Sequence, residues 1–520
     1  MSTLFDTRLR RLADLALGRL LARGRKGLER ECLRVTPGGH IAQTPHPAAL
    51  GSALTHPYIT TDYSEALLEF RTPPCKDAQE TLDFLTELHQ FAVRRLGDEL
   101  LWASSMPCEL QGDESIPIAR YGSSNVGRMK HVYRRGLAYR YGRAMQAIAG
   151  VHFNYSLPEE FWPIHKDFEG DPQPLQDFIS SCYFALVRNL RRWGWIIPYL
   201  FGASPAFSKS FLTGPSREFE QFDATLFRPD ATSLRMSDIG YKNSTQSGLN
   251  ISYNSLAEYV AGLAHAIDTP YPDYERIGTK VDGEYRQLNT HILQIENEYY
   301  SFVRPKQIAA SGERPTVALT RRGVKYVEVR ALDVQTYDPI GVNLPQLRFL
   351  EGFLLMCLFS ESPPLSANDR REFERNELLV AARGREPGLI LRDHGQARVL
   401  TDWAADILAR TGAVCGILDD ADPERPYTVA LKAQGHAAAS PDVLPSARVL
   451  TEMWNKHESF LEFSLRLSNQ HTQCFKQSTL PEDRSNALIE AARQSLLKQQ
   501  EIEATDQISF DEYLKRYFSR

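Results

Sequence analysis

The sequence lacks the features that mark several large classes of protein. Its 520 residues include only seven cysteines, with irregular spacing and no CxxC pair. An odd, scattered set of this kind argues against a disulfide framework and favours buried thiols in a reducing compartment. No apolar run reaches the roughly 18 residues that a membrane helix requires. The sequence therefore predicts a soluble cytoplasmic protein that does not bind a membrane.

A strong charge imbalance is also missing, as are the common nucleotide-binding and hydrolase motifs. Lysine and arginine number 60 and the acids 65, which gives a net charge of −5 and argues against a nucleic-acid partner. Neither GxxxxGK[ST], GxGxxG, HExxH nor GxSxG occurs, and "FGASPA" at 201–206 lacks the last glycine of the hydrolase motif. If the protein binds ATP, it uses neither a P-loop nor a Rossmann turn.

The N-terminal 27 residues are basic, as those of a transit peptide are. Asp6 and Asp14 and the absence of a long apolar stretch instead favour an ordinary amphipathic helix.

The chain has two parts with different hydrophobic patterns. Helical periodicity occurs at 76–99, 176–195, 256–267 and 346–360. Between these helices, period-two alternation marks short strands at 28–35, 66–72, 150–157, 293–300 and 325–332. After about residue 360 the pattern is helical at 369–384, 400–411, 447–472 and 485–504, with a loop at 432–446. We expect an α+β fold with a mostly antiparallel sheet in 1–360, which the family resemblance described below implies to be curved, and a helical part, 361–520, that packs on the same structural domain.

The polar faces of the strands carry an unusual set of side chains. Residues two apart on a strand share a face, which pairs Glu29 with Glu31, His152 with Asn154, and Glu328 with Arg330. Asp62 and Glu69 lie in a further apolar stretch. For any one strand, a solvated face explains the pattern. Together, acids, histidine and asparagine in apolar strands favour metal ligands, because an unpaired charge there is costly.

Five carboxylates and His152 exceed what one octahedral Mg²⁺ accepts. They suit two or three Mg²⁺ ions, with Mn²⁺ as an alternative, held over a nucleoside triphosphate. Arg330 beside Glu328 supplies a fixed cation for a phosphoryl group. The pattern therefore indicates metal-assisted phosphoryl transfer.

Two further segments are interpreted as loops that bind small polar ligands, although solvated loops remain an alternative. Residues 123–142 contain Tyr133 among arginines, and residues 232–247 contain Arg235 and Tyr241. Arg304 and Lys306 are candidate phosphate contacts.

Several of these stretches resemble glutamate–cysteine ligase (γ-glutamylcysteine synthetase) of the proteobacterial type, a family of the glutamine-synthetase-like superfamily. The resemblance runs in order from about residue 24 to about residue 345 and is diffuse beyond 360. The motifs are "GLERECLRV", "TTDYSEALLEFRTP", "YGSSNVGRMKHVYRRGL", "GVHFNYSLP", "IPYLFGASPA", "TSLRMSDIGY", "LQIENEYYSFVRPK" and "YVEVRALD".

The resemblance implies a funnel-shaped antiparallel sheet with helices outside, and a reaction. The γ-carboxylate of L-glutamate would be phosphorylated by ATP, and the amine of L-cysteine would displace phosphate to give γ-glutamylcysteine, the first step of glutathione synthesis. It also implies a monomer with glutathione as a feedback inhibitor. The alternatives are a ligase of the same fold with another amine acceptor, or an inactive amino-acid-binding relative.

By motif, the resemblance assigns roles to individual residues. It implies metal ligands at Glu29, Glu31, Asp62, Glu69, His152 and Glu328. It places Arg330 near the transferring phosphate, and amino-acid contacts at Tyr133, Arg235, Tyr241 and Tyr300. Cys32 departs from the family's usual threonine and is interpreted as a packing residue on the opposite strand face.

Overall fold

The fold is built around one antiparallel sheet. The computed structural model describes residues 3–519 except 213, 215–217, 241–245, 247, 250, 311 and 421. Within this part of the chain, seven strands form the main sheet in the order β11-β12-β5-β1-β3-β2, with β4 paired to the end of β1. These strands are β1 (Arg25–Val35), β2 (Ile59–Thr61), β3 (Leu67–Arg71), β4 (Leu100–Leu101), β5 (Val151–Ser156), β11 (Val303–Lys306) and β12 (Tyr326–Leu332).

Smaller hairpins and many helices surround the sheet. The remaining strands are β6 (Ala206–Ser208), β7 (Glu220–Phe222), β8 (Thr225–Phe227), β9 (Lys280–Val281), β10 (Glu284–Tyr285), β13 (Ile390–Asp393) and β14 (Gln396–Val399). The helices of the first 360 residues are Leu4–Asp14, Gly18–Leu21, Ala78–Val93, Asn125–Tyr141, Phe161–Glu169, Leu175–Trp193, Ile196–Phe201, Leu256–Asp268, Pro272–Ile277, Pro315–Arg322 and Leu344–Phe359. Those after residue 360 are Ala367–Arg383, Leu400–Leu418, Pro426–Ala439, Pro445–Lys456, Phe460–Gln477, Glu482–Thr505 and Phe510–Phe518.

The central strand β1 separates a polar face from an apolar one. Leu28 and Cys32 are buried on the side that faces the core. Glu29 and Glu31 point the other way, and the ladder sets Glu29 opposite His152 on β5 and Glu31 opposite Glu69 on β3. A slip of one residue would turn these acids into the core, so the alternation fixes the register.

The apolar face packs on a layer of helices centred on Leu344–Phe359. Nearly every residue of that helix is buried, as expected for a helix that is hydrophobic all round. It lies against the helices Ala78–Val93, Leu175–Trp193, Leu400–Leu418 and Pro426–Ala439. The helical C-terminal part therefore contacts the same layer that covers the sheet.

The α+β class and the antiparallel sheet are confirmed, as are the helices predicted from periodicity, except the one predicted at 447–472. None of the described helices combines the length and the apolar character that crossing a membrane requires. Two predictions for the first part of the chain differ from the structure. Residues 123–142 are not a loop but the helix Asn125–Tyr141, whose first turn is capped by the Ser124 side chain. Residues 293–300 are not a strand but contain a short 3₁₀ turn, Glu296–Glu298.

The physical reasons for these two differences are not the same. The helix Asn125–Tyr141 buries Met129, Val132 and Leu137 at helical spacing, a signal hidden among its many arginines and tyrosines. In the turn, the side chain of Glu298 is buried and forms a hydrogen-bonded ion pair with Arg140. Its polar character therefore does not indicate a strand with a solvated face.

The C-terminal part also differs from its prediction. The predicted loop 432–446 is only partly right: residues 440–444 connect two helices, but 432–439 are the end of the helix Pro426–Ala439, because alanine favours a helix and outweighs a single interior glycine. Residues 390–399 form the hairpin β13–β14, whose turn places His394 and Gly395 at positive φ. The predicted helix 447–472 is interrupted at His457, which adopts a left-handed conformation.

A buried ion pair ties the sheet to the helical layer. Lys26 Nζ lies 2.8 Å from Glu351 Oε1, and the two side chains are 1% and 0% exposed. Lys26 also donates to the carbonyls of Ala22 and Lys76, and Glu351 accepts from the hydroxyl of Tyr427 at 2.7 Å. The partners of this buried pair thus come from β1, from the helices Leu344–Phe359 and Pro426–Ala439, and from the backbone carbonyls of Ala22 and Lys76.

Removal of Lys26 tests this connection. We expect Lys26→Met to lower the free energy of unfolding by about 3–5 kcal/mol, because it leaves Glu351 buried without its cation. The double variant Lys26→Met, Glu351→Leu should recover most of this loss, since it removes both charges. Urea denaturation measures both. If the double variant were as unstable as the sum of the two single variants, the ion pair would not be the connection.

Candidate functional site

Three neighbouring strands bring acids and a histidine to one point on the polar face. Ligand atoms of Glu29, His152 and Glu328 all lie within 4.8 Å of one another. The Nδ1–H of His152 donates to Glu29 Oε2 at 3.2 Å, and the same nitrogen lies 3.7 Å from Glu328 Oε1. On its other side, His152 Nε2 lies 3.6 Å from Glu31 Oε1. We call Glu29, His152 and Glu328 the acid–histidine cluster.

Cations from β11 and β12 surround the most buried acid of this cluster. The side chain of Glu328 is 1% exposed, and its Oε2 lies 3.3 Å from Lys306 Nζ and 3.9 Å from Arg304 Nη1. Arg330 Nη1 donates to Glu328 Oε1 at 3.2 Å. Arg304 and Lys306 thus reach the cluster, and Arg330 lies at its edge.

Two other predicted ligands lie beside the cluster. Glu31 accepts from the backbone N–H of Gly150 at 2.7 Å. Glu69 is held by a bidentate pair with Arg71 at 2.8 and 3.1 Å, opposite Glu31 in the ladder. Asp62 lines the same cavity as Glu31. The structure therefore gathers all six predicted ligands on one side of the sheet, three of them in one tight group.

The protonation of the acids differs because their partners differ. Burial alone would raise the pKa of Glu29, but the hydrogen bond from His152 and nearby cations lower it to about 2. Burial likewise opposes ionisation of Glu328, and the charges of Lys306, Arg330 and Arg304 hold its pKa well below the usual range. For Glu31, burial dominates and raises the pKa to about 7. A further cation beside Glu31 would favour its ionised form.

The donor set fits a hard divalent cation. Carboxylate oxygens with at most one imidazole are the ligands that Mg²⁺ or Mn²⁺ accepts. Within the described part of the chain, His152 Nε2 and Asn154 Oδ1 are buried and have no hydrogen-bond partner. Buried polar atoms left in this way mark a place for a ligand or an ion.

A small cavity of about 70 Å³ opens beside Glu31 and Asp62. Of the predicted amino-acid contacts, Tyr133 and Tyr300 line it, together with Arg304 and Arg330. The hydroxyl of Tyr300 exchanges hydrogen bonds with Gln146 at 2.7 and 3.0 Å. Gln146, in a short 3₁₀ turn, gave no sequence signal, because its neighbours show neither strand nor helix period.

Arg235 does not line this cavity, and Tyr241 lies outside the described residues. The side chain of Arg235 is fully buried, and its Nη2 donates to the backbone carbonyl of Arg330 at 2.9 Å. It therefore supports the strand segment that carries Arg330. The sequence around Arg235 is rich in hydroxyl and amide groups. This pattern fits a residue that supports a strand as well as one that contacts a ligand.

A larger cavity of about 490 Å³ lies at the other end of the same strands. It is lined by Arg25 at the start of β1 and Ser156 at the end of β5. Ser156 shares a strand face with His152, four residues away, so about 13 Å separates them at the usual strand rise. Lysines and arginines are abundant in its wall: Arg23, Arg25, Lys76, Arg322 and Lys325.

Comparison with known proteins gives consistent matches over the whole chain. The family model described as glutamate-cysteine ligase matches residues 9–380. The glutamate–cysteine ligase of Pseudomonas entomophila is 50% identical over 518 residues, which cover 99% of this chain and 98% of that protein. That of Azotobacter vinelandii is 51% identical over 521 residues, with the same coverage.

A solved structure agrees with these matches. The crystal structure of glutamate–cysteine ligase from Francisella tularensis in complex with AMP superimposes with a TM-score of 0.90 at 37% sequence identity. The match covers 96% of this chain and 98% of that chain. The resemblance inferred from the motifs is thereby confirmed and extends beyond residue 360.

A substitution at Gly150 tests how closely the buried Arg235 packs against the start of β5. A Cβ at this position would lie 2.1 Å from Nη2 of the buried Arg235. We therefore expect Gly150→Ala to displace that guanidinium and lower the free energy of unfolding by about 1–3 kcal/mol. Gly416→Ala is the matched control: it lies within the helix Leu400–Leu418 with no atom near the added methyl, and should be neutral or stabilising. Equal stability of both variants in thermal melts would contradict the close packing.

Proposed function

The chain belongs to the glutamate–cysteine ligase family, and we propose that it forms γ-glutamylcysteine from L-glutamate, L-cysteine and ATP on the polar face of its sheet. The observation that carries this assignment of the site is the acid–histidine cluster. It joins three strands, has cations on one side, and lies between a cavity lined by tyrosines and a larger one lined by lysines and arginines.

We propose that the reaction proceeds through γ-glutamyl phosphate. A carboxylate is a poor acyl donor, so an oxygen of the γ-carboxylate first attacks the γ-phosphorus of ATP, and ADP leaves. The amine of cysteine then attacks the acyl carbon, phosphate leaves with the bonding electrons, and the amine loses a proton. Catalysis of such steps is mostly positioning and charge stabilisation.

The residues that would hold the divalent cations are Glu29, His152 and Glu328, with Glu31, Asp62 and Glu69 beside them. Two or three Mg²⁺ ions, or Mn²⁺, would offset the repulsion between the glutamate carboxylate and the triphosphate. The rigid ladder keeps the acids in place before any ligand arrives. Arg330, fixed against Glu328, is placed to contact the phosphoryl group as it moves.

We propose that ATP lies along β5, with its phosphates at the cluster and its nucleoside in the cavity of about 490 Å³. The separation of about 13 Å along the strand between His152 and Ser156 suits an extended triphosphate and ribose. Lys306 and Arg304 would contact the phosphates.

The amino-acid substrates would then bind at the wall of the smaller cavity, on the other side of the cluster. Tyr133 and Tyr300 line its wall, and Gln146 fixes the hydroxyl of Tyr300. Arg235 acts through Arg330 in this assignment, and a substrate contact of Tyr241 stays a prediction. Feedback by glutathione, a monomeric state, a cytoplasmic location and the grouping of residues 1–360 and 361–520 in one structural domain also stay predictions.

Phosphate release from ATP distinguishes the proposed reaction from its alternatives. With Mg²⁺ and glutamate present, we expect rapid release only when cysteine is added, because the acyl phosphate needs its amine. Release with other amines but not with cysteine would identify a different acceptor. Glutamate binding without any release would identify an inactive relative.

The acid–histidine cluster can be tested by an isosteric change. We expect Glu328→Gln to lower turnover at least about 100-fold, since an amide neither neutralises nor binds a cation well. Wild type should also melt at a higher temperature when Mg²⁺ is added, and the variant should lose most of this gain.

Glu490→Gln, on the exposed face of the helix Glu482–Thr505, is the control and should behave as wild type. If Glu328→Gln kept full turnover at limiting Mg²⁺, the assignment of Glu328 as a metal ligand would be wrong.

A further inference from the structure

Two adjoining cavities lie far from the polar face, behind the helices that cover the apolar side of the sheet. Their volumes are about 690 and 470 Å³, and both are lined by Arg192, Trp193, His394 and Arg410. Arg192 and Trp193 end the helix Leu175–Trp193, Arg410 belongs to Leu400–Leu418, and His394 is in the turn of the hairpin β13–β14. We call this pair of cavities the rear cavity.

Arg192 is a buried cation without a carboxylate. It is 3% exposed, and no acid of the described chain lies within ion-pair distance of it. Its Nη1 donates to Asn189 Oδ1 at 2.8 Å, and its Nη2 donates to the carbonyl of Pro363. Its Nε has no hydrogen-bond partner within the described residues. A buried charge that has only neutral partners is costly and calls for an opposite charge.

Arg410 is a second, half-buried cation that lines the rear cavity and has no carboxylate partner within the described chain. Its guanidinium lies over the rings of Phe5 and Trp193, with its carbon 5.0 and 4.8 Å from their centroids. Its Nη2 donates to Ser360 Oγ at 2.6 Å, and it too forms no ion pair with the acids that the structure describes. Ser360 and Pro363 belong to one short segment, so the two guanidinium groups converge on it.

Four acids also line the rear cavity, and most of them are engaged with other groups: Asp6, Glu361, Asp393 and Asp406. Asp393 and Asp406 pair with Arg398, and Asp369 pairs with His394 at 3.0 Å. Asp6 accepts from Thr3 in a capping box. Glu361 is exposed at the rim. Burial, assisted by the charge of Arg188, lowers the pKa of Arg192 to about 10, and burial also lowers that of Arg410. Nearby acids oppose these shifts only in part, and none of them forms an ion pair with Arg192 or Arg410 within the described chain.

We propose that the rear cavity binds a small organic anion, whose carboxylate or phosphate group is held by Arg192 and Arg410 and whose remainder lies against Trp193. Two arginines can bind such a group with parallel hydrogen bonds. The indole and the volume of the cavity provide room and an apolar wall for the rest of the ligand. This site is separate from the catalytic face and does not depend on the assignment of the reaction.

Direct titration tests the rear cavity. Isothermal titration calorimetry would use the full chain with its catalytic site occupied by Mg²⁺, glutamate and a non-hydrolysable ATP analogue. The probes are orthophosphate and succinate, which separate a phosphate ligand from a carboxylate ligand. We expect at least one of them to bind wild type saturably at a single site.

Substitution of Arg410 should weaken that binding. Arg410→Gln should lower the affinity for the bound probe at least tenfold, because it removes a charged hydrogen-bond donor, while Arg410→Lys should retain part of it. Arg410 is preferred to Arg192 because it is less buried, and its variants should keep the turnover of wild type.

Arg448→Gln is the matched control, since Arg448 also lies over an aromatic ring, that of Tyr337, and is far from the rear cavity. It should bind the probe as wild type does. The proposal is wrong if neither probe binds wild type saturably, or if Arg410→Gln binds as tightly as wild type.

Discussion

Repulsion between carboxylates held on one buried face of an apolar sheet is the constraint on which the site depends. Glu29, Glu31 and Glu328 surround one imidazole, and their charges can coexist only if cations lie close by. The chain supplies some of these cations from β11 and β12. The proposed metal ions and the arrangement of ATP follow from the negative charge that remains. The family membership of the chain and the geometry of the cluster therefore both call for cations close to these carboxylates.

The sheet meets this requirement because both of its faces are specified. On the apolar face, Leu28 and Cys32 are buried, and Lys26 is paired with Glu351, so that β1 cannot slip without losing both packing and an ion pair. On the polar face, the antiparallel ladder places Glu29 opposite His152. A helix or a loop would hold the same side chains less rigidly. The register of the strands therefore positions these side chains as precisely as the proposed phosphoryl transfer requires.

Much of this face could be predicted from the sequence, because period-two alternation assigns each side chain to a face without knowledge of the fold. Glu29, His152 and Glu328 were found in this way. The order of the strands could not be predicted from the pattern, because β1 and β12 lie about 300 residues apart and only long-range pairing with β5 brings them together. The resemblance to a known family supplied that information.

Other parts were missed for local reasons. The pattern predicts a loop at 123–142 because the apolar residues of the helix Asn125–Tyr141 are few. It predicts a loop at 432–446 because serine and proline follow the alanines of that stretch. The support that Arg235 gives to β12 depends on burial, which the sequence does not reveal.

Among the charged side chains that the structure describes, three sets with little exposure to solvent differ in how they are neutralised. Lys26 and Glu351 neutralise each other inside the chain. The acids of the polar face are partly neutralised by the chain and, as we propose, completed by cations. Arg192 and Arg410 have neither a carboxylate partner nor a place in the reaction. Because burying an uncompensated charge destabilises a fold, its presence needs an explanation other than packing. The anion that we propose for the rear cavity would neutralise Arg192 and Arg410 by the same principle that calls for cations at the polar face.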